Sequence, residues 1–452
     1  MGIKINIILI LLTMSISSHG YASIFQTIEV SLISNSLIKS KDGKSSDSSI
    51  TVNDSIKKPR LWAVAIPFNL ILDTSSVDSL TENLVFNNSQ NNWIASNKMA
   101  SEFYTGFRAA VDTLNVSGEN IKLIVVDHNE KKNIYRIQDD PNKTFFELSP
   151  KEFMGVCEAL YVEKIIGPFR SNASEILAKF SSKITVINPV SRSVNTENNP
   201  QLIAAASSRK AESISLGKRA AIERQNNDSS ITVLLLTQKS RKMRLDSAFT
   251  YSYSEMGGDI IELVSLNISD ETDFQELVSR GPNDYLIRYV LLDNNVLTAA
   301  QVLSAFRLRD PMLTELWTMG SNISSNALDS YLLLRQPIVW AQIERADHVE
   351  LKGVFQYLKR YSGYAPGRWE WLGFDMAVFA NYMKSNIPAA YSGPRRLYLW
   401  KHKEGDGYMN QSSILFRFDS LGVNCLDIIP TFELPNRNDS LIVKYESQKL
   451  DQ

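Results

Sequence analysis

Two strand-to-helix turns carry the side chains best suited to bind a ligand. The first lies in IIGPFRSNAS (165–174), where a cation precedes short polar side chains: Arg170, Ser171, Asn172 and Ser174. The second lies in INPVSRSVN (187–195) and supplies Ser191, Arg192 and Ser193. A helix N-terminus presents free backbone N–H groups and a positive dipole end, so such turns favour carboxylates and other anions. Alternatively, the serines and asparagine only cap helices while the arginines face solvent.

The sequence contains no motif for catalysis, metal binding or cofactor binding. Its four histidines, at 19, 128, 348 and 402, belong to no H-E-x-x-H motif or Cys/His cluster. It lacks a phosphate-binding loop, a G-x-G-x-x-G turn and a G-x-S-x-G nucleophile elbow. The paired carboxylates Asp139 and Asp140 fall in a predicted loop, where solvated charges are common. We therefore predict a non-enzymatic protein with no metal and no cofactor.

Alternating strand and helix patterns indicate the framework that holds these turns. The first series begins with the apolar strand near Leu61 and continues through a helix at 100–115 and strands at 121–127, 164–168 and 183–189. Ser149, Pro150 and Glu152 form an N-cap pattern for a helix that runs to about residue 161. Alternation of this kind predicts parallel sheets built by right-handed crossovers.

A second series follows residue 205. It comprises predicted helices at 208–224, 243–258, 270–281 and 297–308, and predicted strands at 230–238, 259–266, 284–293 and 313–320. Two consecutive series imply two sheets and hence an α/β protein of two Rossmann-like lobes joined by a hinge. A single large sheet is the alternative.

The last part of the chain predicts a return to the first lobe. Helices are expected at 347–361 and 373–384, a strand at 395–400, and a hairpin at 412–429 that turns between Asp419 and Gly422. The predicted division is a signal peptide (1–22), a Ser/Asn-rich leader (23–58), lobe 1 (59–203), lobe 2 (204–338), a return to lobe 1 (339–395) and C-terminal strands and tail (396–452).

Residues 1–22 have the features of a secretory signal. Lys4 precedes the apolar run Ile7–Leu12, and Gly20-Tyr21-Ala22 offers small residues for cleavage. An uncleaved N-terminal anchor is the alternative. No cysteine stands at the end of the apolar run, where a lipid anchor would be attached. We therefore predict a periplasmic or otherwise exported protein without a lipid anchor and with no membrane span after cleavage. The net charge of −1 and the lack of a basic run argue against nucleic-acid binding.

The two cysteines, Cys157 and Cys425, are expected to be free thiols, with a disulfide between them as the alternative.

The order of these segments resembles the type I periplasmic binding proteins, the group of the leucine/isoleucine/valine receptors. The resemblance lies in AVAIPFN, IKLIVVDHNE, KIIGPFRSNAS and ITVINPVSRS, and more weakly in WTMGS (317–321) and WEWLGFDMAVFA (369–380). It implies two lobes, joined by three crossings, that close over a ligand. The first-lobe ligand positions that it implies are Phe169, Arg170, Ser171, Asn172, Ser191, Arg192 and Ser193. The second-lobe turns offer Lys239, Asp293, Asn294, Ser321 and Asn322.

The second-lobe turns depart from the family pattern. The family usually places aromatic residues and an acid there to hold an ammonium group, but the turn at 319–324 has no acid and the turn at 237–243 has no aromatic residue. We therefore expect a small polar or anionic solute, amino-acid-like or peptide-like, in the interlobe cleft. The alternative is an envelope interaction protein that resembles the penicillin-binding-protein activators, whose partner is another protein.

Overall fold

The fold is taken from a computed structural model, which describes fourteen stretches of the chain. These are residues 10–12, 28–30, 58–69, 88–137, 146–226, 230–259, 261–266, 284–323, 328, 330–345, 352–383, 387, 390–419 and 422–427. Most of the predicted signal peptide and leader, and the predicted helix at 270–281, lie outside the described residues. Of the predicted signal peptide and the first part of the leader, the structure describes an antiparallel pair of short strands, β1 (Ile10–Leu12) and β2 (Ile28–Val30).

The first lobe is built on a sheet of ten described strands. Its strands are β3 (Arg60–Ile66), β4 (Ile121–Asn129), β5 (Ile134–Ile137), β6 (Phe146–Leu148), β7 (Val162–Ile166), β8 (Thr185–Asn188), β9 (Leu202–Ala204), β15 (Ala390–Ser392), β16 (Leu397–Lys401) and β17 (Tyr408–Asn410). They lie in the order β15-β16-β17-β9-β8-β7-β3-β4-β5-β6, and the central strands are parallel. Its helices are α1 (Asn88–Val116), α2 (Pro150–Ala159), α3 (Ser171–Lys179), α10 (Lys352–Ser362) and α11 (Arg368–Tyr382).

Side chains of β3 show why helices cover both faces of this sheet. Trp62 and Val64 point into a core with Phe107 of α1 and Trp371 of α11. Ala63 and Ala65 belong to the opposite core, which contains side chains of α2 and α3. Because successive strand residues alternate between faces, a strand that is apolar at every position must be buried on both sides.

Glycines allow α1 and α11 to approach closely. A Cβ atom added to Gly106 would lie 1.8 Å from the carbonyl oxygen of Glu370, and one added to Gly373 would lie 1.9 Å from that of Phe103. Both distances are far inside contact range, so the close packing of the two helices depends on the missing side chains.

The second lobe is built on a sheet of seven described strands. They are β10 (Ile231–Leu236), β11 (Ile261–Ser265), β12 (Ile287–Leu291), β13 (Thr314–Met319), β14 (Ile338–Gln342), β18 (Ile414–Asp419) and β19 (Gly422–Cys425), in the order β11-β10-β12-β13-β14-β18-β19. The helices are α4 (Arg209–Asn226), α5 (Gln238–Lys242), α6 (Leu245–Glu255), α7 (Val296–Ala305), α8 (Gly320–Ile323) and α9 (Ser330–Arg335), with 3-10 turns at Phe306–Leu308 and Pro311–Leu313.

Two local expectations differ from the structure because of how single residues begin or interrupt helices. The helix predicted at 243–258 begins only at Leu245, as α6, because Arg244 has a φ of 54°, which lies in the left-handed region. The short helix α5 precedes it, in the segment where a turn is predicted. The helix expected to start near residue 373 begins at Arg368, because the Glu370 carboxylate accepts a hydrogen bond from the backbone N–H of Gly367 at 2.8 Å. The N-cap predicted at Ser149 is present, with the reciprocal bonds between Ser149 and Glu152.

The chain passes between the lobes three times, and two of these passages correct the predicted tail. The predicted boundary between lobe 2 and the return to lobe 1, after residue 338, falls within β14, but the whole of β14 lies in the second sheet, where it pairs with β13. The C-terminal hairpin was expected with the first lobe, but β18 pairs antiparallel with β14. The crossings are therefore 205–208, 343–351 and 411–413, of which residues 346–351 are not described. The apolar pattern of a strand identifies it as buried but does not name its neighbour.

Glu344, in the second crossing, forms salt bridges with three arginines of the first lobe. The carboxylate of Glu344 lies 2.9 Å from Nε of Arg368, 2.9 Å from Nη2 of Arg395 and 3.2 Å from Nη2 of Arg396. Arg396 also donates to the carbonyl of Pro189, the residue after β8, at 2.6 Å. The Glu344 side chain is only 8% exposed, so these charges interact with little screening by water.

Candidate functional site

A single buried asparagine joins the two predicted first-lobe turns. Asn188, the last residue of β8, is fully buried, and its Nδ2 donates to the carbonyls of Pro168 at 2.8 Å and Phe169 at 3.1 Å. Its Oδ1 accepts from the backbone N–H of Ser191 at 2.8 Å. Asn188 is not among the predicted site residues, although an asparagine at the end of a buried strand, where a side-chain amide can hold neighbouring turns, was the available signal.

This arrangement brings three predicted hydroxyl groups together at the carboxyl ends of β7 and β8. Oγ of Ser191 lies 3.2 Å from Oγ of Ser193, which lies 3.4 Å from Oγ of Ser171. Asn172 is exposed beside them. The side chain of Phe169, by contrast, is 3% exposed and packs edge-on against Phe103, so it serves the core.

Both predicted first-lobe cations are paired with acids. Nε of Arg170 lies 3.0 Å from the carboxylate of Glu130, and the Arg170 side chain is 59% exposed. Nη2 of Arg192 lies 2.8 Å from the carboxylate of Glu212 on α4, and its Nε donates to the carbonyl of Ser207 at 3.0 Å. Arg192 therefore links the first lobe to the first crossing and to the second lobe.

An open depression of about 500 Å³ lies at the carboxyl ends of β10 and β12 in the second lobe. Three predicted residues line it: Lys239, Asp293 and Asn294. Nζ of Lys239 lies 3.8 Å from Oδ1 of Asp293, which also accepts from the backbone N–H of Asn295 at 3.1 Å. Oδ1 of Asn294 is buried and makes no hydrogen bond within the described part of the chain. The other lining residues are Gln238, Asn295, Val296 and Leu297.

The remaining two predicted residues do not line the depression. Asn322 is fully buried, and its Nδ2 donates to the carbonyl of Asp293 at 2.6 Å and to Oγ1 of Thr318 at 2.9 Å. Asn322 therefore supports the 293–295 turn from the protein interior. Ser321 is exposed on the short helix α8.

Arg209, at the start of α4, interacts electrostatically with charged side chains of both lobes and is not among the predicted site residues. Burial and the neighbouring Arg192 lower the pKa of Arg209, while Glu212 and Asp293 act in the opposite direction. Burial likewise raises the pKa of Glu212, against the effect of Arg192 and Arg209. We name Arg192, Arg209, Glu212, Lys239 and Asp293 the interlobe charge cluster. Its members come from distant parts of the chain; Arg192, Lys239 and Asp293 are predicted site residues, whereas for Arg209 the available signal was its place at a helix start.

The described residues show no further reactive centre. Among them, no group of three or more His, Cys, Asp or Glu side chains could hold a metal ion. His128 is fully buried against Tyr135 and Asn133, and burial lowers its pKa to about 4. Cys157 and Cys425 are free thiols, and burial raises the pKa of Cys157 to about 12. Over the described stretches, the helices are too short or too polar to cross a membrane.

Two mostly parallel sheets, covered by helices and joined by three crossings, define the two-lobed α/β fold of the type I periplasmic binding proteins, as predicted. Among solved structures, a putative branched-chain amino acid ABC transporter from Rhodospirillum rubrum has a TM-score of 0.54 at 13% identity, over 82% of this chain and 100% of that one.

A second kind of structural neighbour has a different role. The C-domain of Haemophilus influenzae LpoA, described as a regulator of PBP1A, has a TM-score of 0.50 at 13% identity, over 81% of this chain and all of that domain. Full-length LpoA has a TM-score of 0.53 at 12% identity, and the match spans 59% of its length. No family model matches the chain, and no curated protein matches its sequence. At these identities the neighbours establish the fold.

Proposed function

We propose that this chain is a non-enzymatic, exported binding protein that holds a small polar or anionic solute at the interlobe cleft. The observation that carries the proposal is the depression at the carboxyl ends of β10 and β12. It combines the Lys239 ammonium group, the buried Asp293 carboxylate and the Asn294 amide, whose Oδ1 has no partner within the described residues. Open α/β sheets bind ligands at this edge, because helix N-termini and strand-end turns converge there.

The first-lobe hydroxyl groups support the same location. Ser171, Ser191 and Ser193 gather at the equivalent edge of the first sheet, and Arg192 already reaches across to α4. Closure of the lobes would bring these donors over a solute held in the second lobe. Exposed Asn172 and the Arg170–Glu130 pair are then the outer boundary of the proposed site.

A second candidate function is a regulatory interaction with another protein of the cell envelope. The similarity to the LpoA C-domain favours it. So does the pairing of Arg170 with Glu130 and of Arg192 with Glu212, since cations that already have acid partners offer less to an anionic solute. In that case the depression would not bind solutes, and the surface of the lobes would carry the function.

A thermal-shift screen of the purified protein against amino acids, organic acids, peptides, sugars and muropeptides separates the two functions. A solute at 100 times its dissociation constant should stabilise the protein by about 2.7 kcal/mol. Lys239→Met should markedly weaken binding of a true hit, whereas Lys242→Met, at an exposed position of the same helix α5, should leave it unchanged. A screen without any saturable hit would refute solute binding and favour the interaction role.

A further inference from the structure

We infer that the depression is built for a 2-hydroxy acid with an apolar side chain and that it excludes the corresponding α-amino acid. This inference rests on the proposed solute-binding function and names the class of solute. It follows from the charges of the depression, from the buried amide oxygen of Asn294, which has no partner among the described residues, and from the apolar wall.

The acid in the depression is not available to an ammonium group. Asp293 is the one acidic residue among those that line the depression, and its side chain is 2% exposed. Its Oδ1 faces Lys239 at 3.8 Å and accepts from the N–H of Asn295 at 3.1 Å. Arg209 lies near enough for its charge to interact with that of Asp293. A ligand ammonium group would therefore meet a carboxylate whose charge is already balanced by Lys239, and it would be repelled by Lys239 and Arg209. Both effects disfavour binding of an ammonium group.

Lys239 remains able to bind a carboxylate. Its side chain is 47% exposed, and its ammonium group carries three donors, of which a single contact with Asp293 uses one. A charge-assisted bond to a ligand carboxylate needs no rearrangement of the buried residues. The depression thus favours an anion while its acid stays paired.

The amide of Asn294 calls for a neutral donor on the ligand. Its Oδ1 is buried without a hydrogen bond from the described residues, and such an atom gains from an O–H or N–H donor. A 2-hydroxyl group supplies a donor without the positive charge that Lys239 and Arg209 oppose. Beside it, Val296 and Leu297 form an apolar wall, and Leu297 is 72% exposed. That surface would be covered by the side chain of the ligand.

Matched ligand pairs that differ only at the 2-position test the inference. The dissociation constants of 2-hydroxy-4-methylpentanoate and leucine, and of 3-phenyllactate and phenylalanine, are measured by calorimetry on the full-length protein. We expect each hydroxy acid to bind at least about tenfold more tightly than its amino acid. Equal affinity, or tighter binding of the amino acids, would overturn the inference while leaving solute binding intact. If neither member of either pair binds, the inference is also wrong, and the wider solute screen decides separately whether the proposed function stands.

Two substitutions provide opposite controls. Asn294→Asp adds a carboxylate without a partner where the neutral amide stood, so it should reverse the preference and allow leucine to bind better than its hydroxy acid. Lys239→Met should weaken binding of the hydroxy acids by roughly 10- to 100-fold, whereas Lys242→Met should not change it. Retention of the hydroxy-acid preference in Asn294→Asp would exclude Asn294 from the site and refute the proposed geometry.

Discussion

Replacing Glu344 by Gln should lower the free energy of unfolding by about 3 kcal/mol, because it breaks the contacts that hold the second crossing to the first lobe. Burial acts to raise the pKa of Glu344, but Arg396, Arg395 and Arg368 outweigh it and lower the pKa from 4.5 to about 2. Such a difference corresponds to about 3 kcal/mol in favour of the ionised, folded form. Glutamine keeps the size of the side chain but leaves three guanidinium groups without their shared carboxylate, and this loss is costly in a buried site.

The sign of the effect gives it a defined pH dependence. Because the folded-state pKa lies below the unfolded one, the stabilisation is present above about pH 4.5 and is lost as the pH falls towards 2. The difference between the native protein and Glu344→Gln should therefore be largest at neutral pH and shrink under acid conditions.

Urea denaturation followed by tryptophan fluorescence measures this difference, with Glu255→Gln as the control. Glu255 pairs with Lys218 at 4.0 Å, and both side chains are about half exposed. Pairs of that kind contribute less than about 1 kcal/mol. If Glu344→Gln costs no more than Glu255→Gln at pH 7, the salt bridges of Glu344 do not stabilise the crossing and the reasoning fails.

Two further predictions concern the α11 side of the first lobe. Burial raises the pKa of Asp375 to about 6, against hydrogen bonds from Tyr398 and the backbone of Arg395. Unfolding free energy should therefore fall by about 3 kcal/mol as the pH rises from 4 through 6, and Asp375→Asn should remove this slope in urea titrations at several pH values. Gly106→Ala should cost about 2 kcal/mol or more, because its Cβ would overlap the carbonyl of Glu370. Gly155→Ala, with nothing within 4 Å, should instead gain about 0.5–1 kcal/mol, and thermal melts of the two variants that ranked them otherwise would contradict this account.

The fold was largely predictable because strands buried on both faces and amphipathic helices leave strong local patterns. The run that became β3 and the cap at Ser149 depend on residues that are neighbours in sequence. The position of β14 was not predictable in this way, since its place between β13 and β18 is fixed by pairing with residues far along the chain. An apolar strand pattern contains no information about which neighbour it will have.

The candidate site shows the same division. The turns that hold Ser171 and Ser191 could be located, because strand ends and helix starts are local features. The partners of their cations could not, since Glu130 and Glu212 reach Arg170 and Arg192 only through the tertiary fold. Lys239, Asp293 and Asn294 do line one depression in the structure, and whether they bind a ligand remains a prediction.

The third crossing has a consequence for how the protein comes to be folded. Strand β14 has one edge covered by β13, but its other edge is covered only by β18, at residues 414–419. During synthesis, which starts at the N-terminus, the second sheet is therefore almost complete before β18 is made. Until then the outer edge of β14 is unpaired. Exposed edges of this kind pair with other chains and promote aggregation. Nascent or truncated chains that lack residues 414–425 should thus be the species most in need of chaperone protection, and neither lobe can be excised as one uninterrupted stretch of polypeptide.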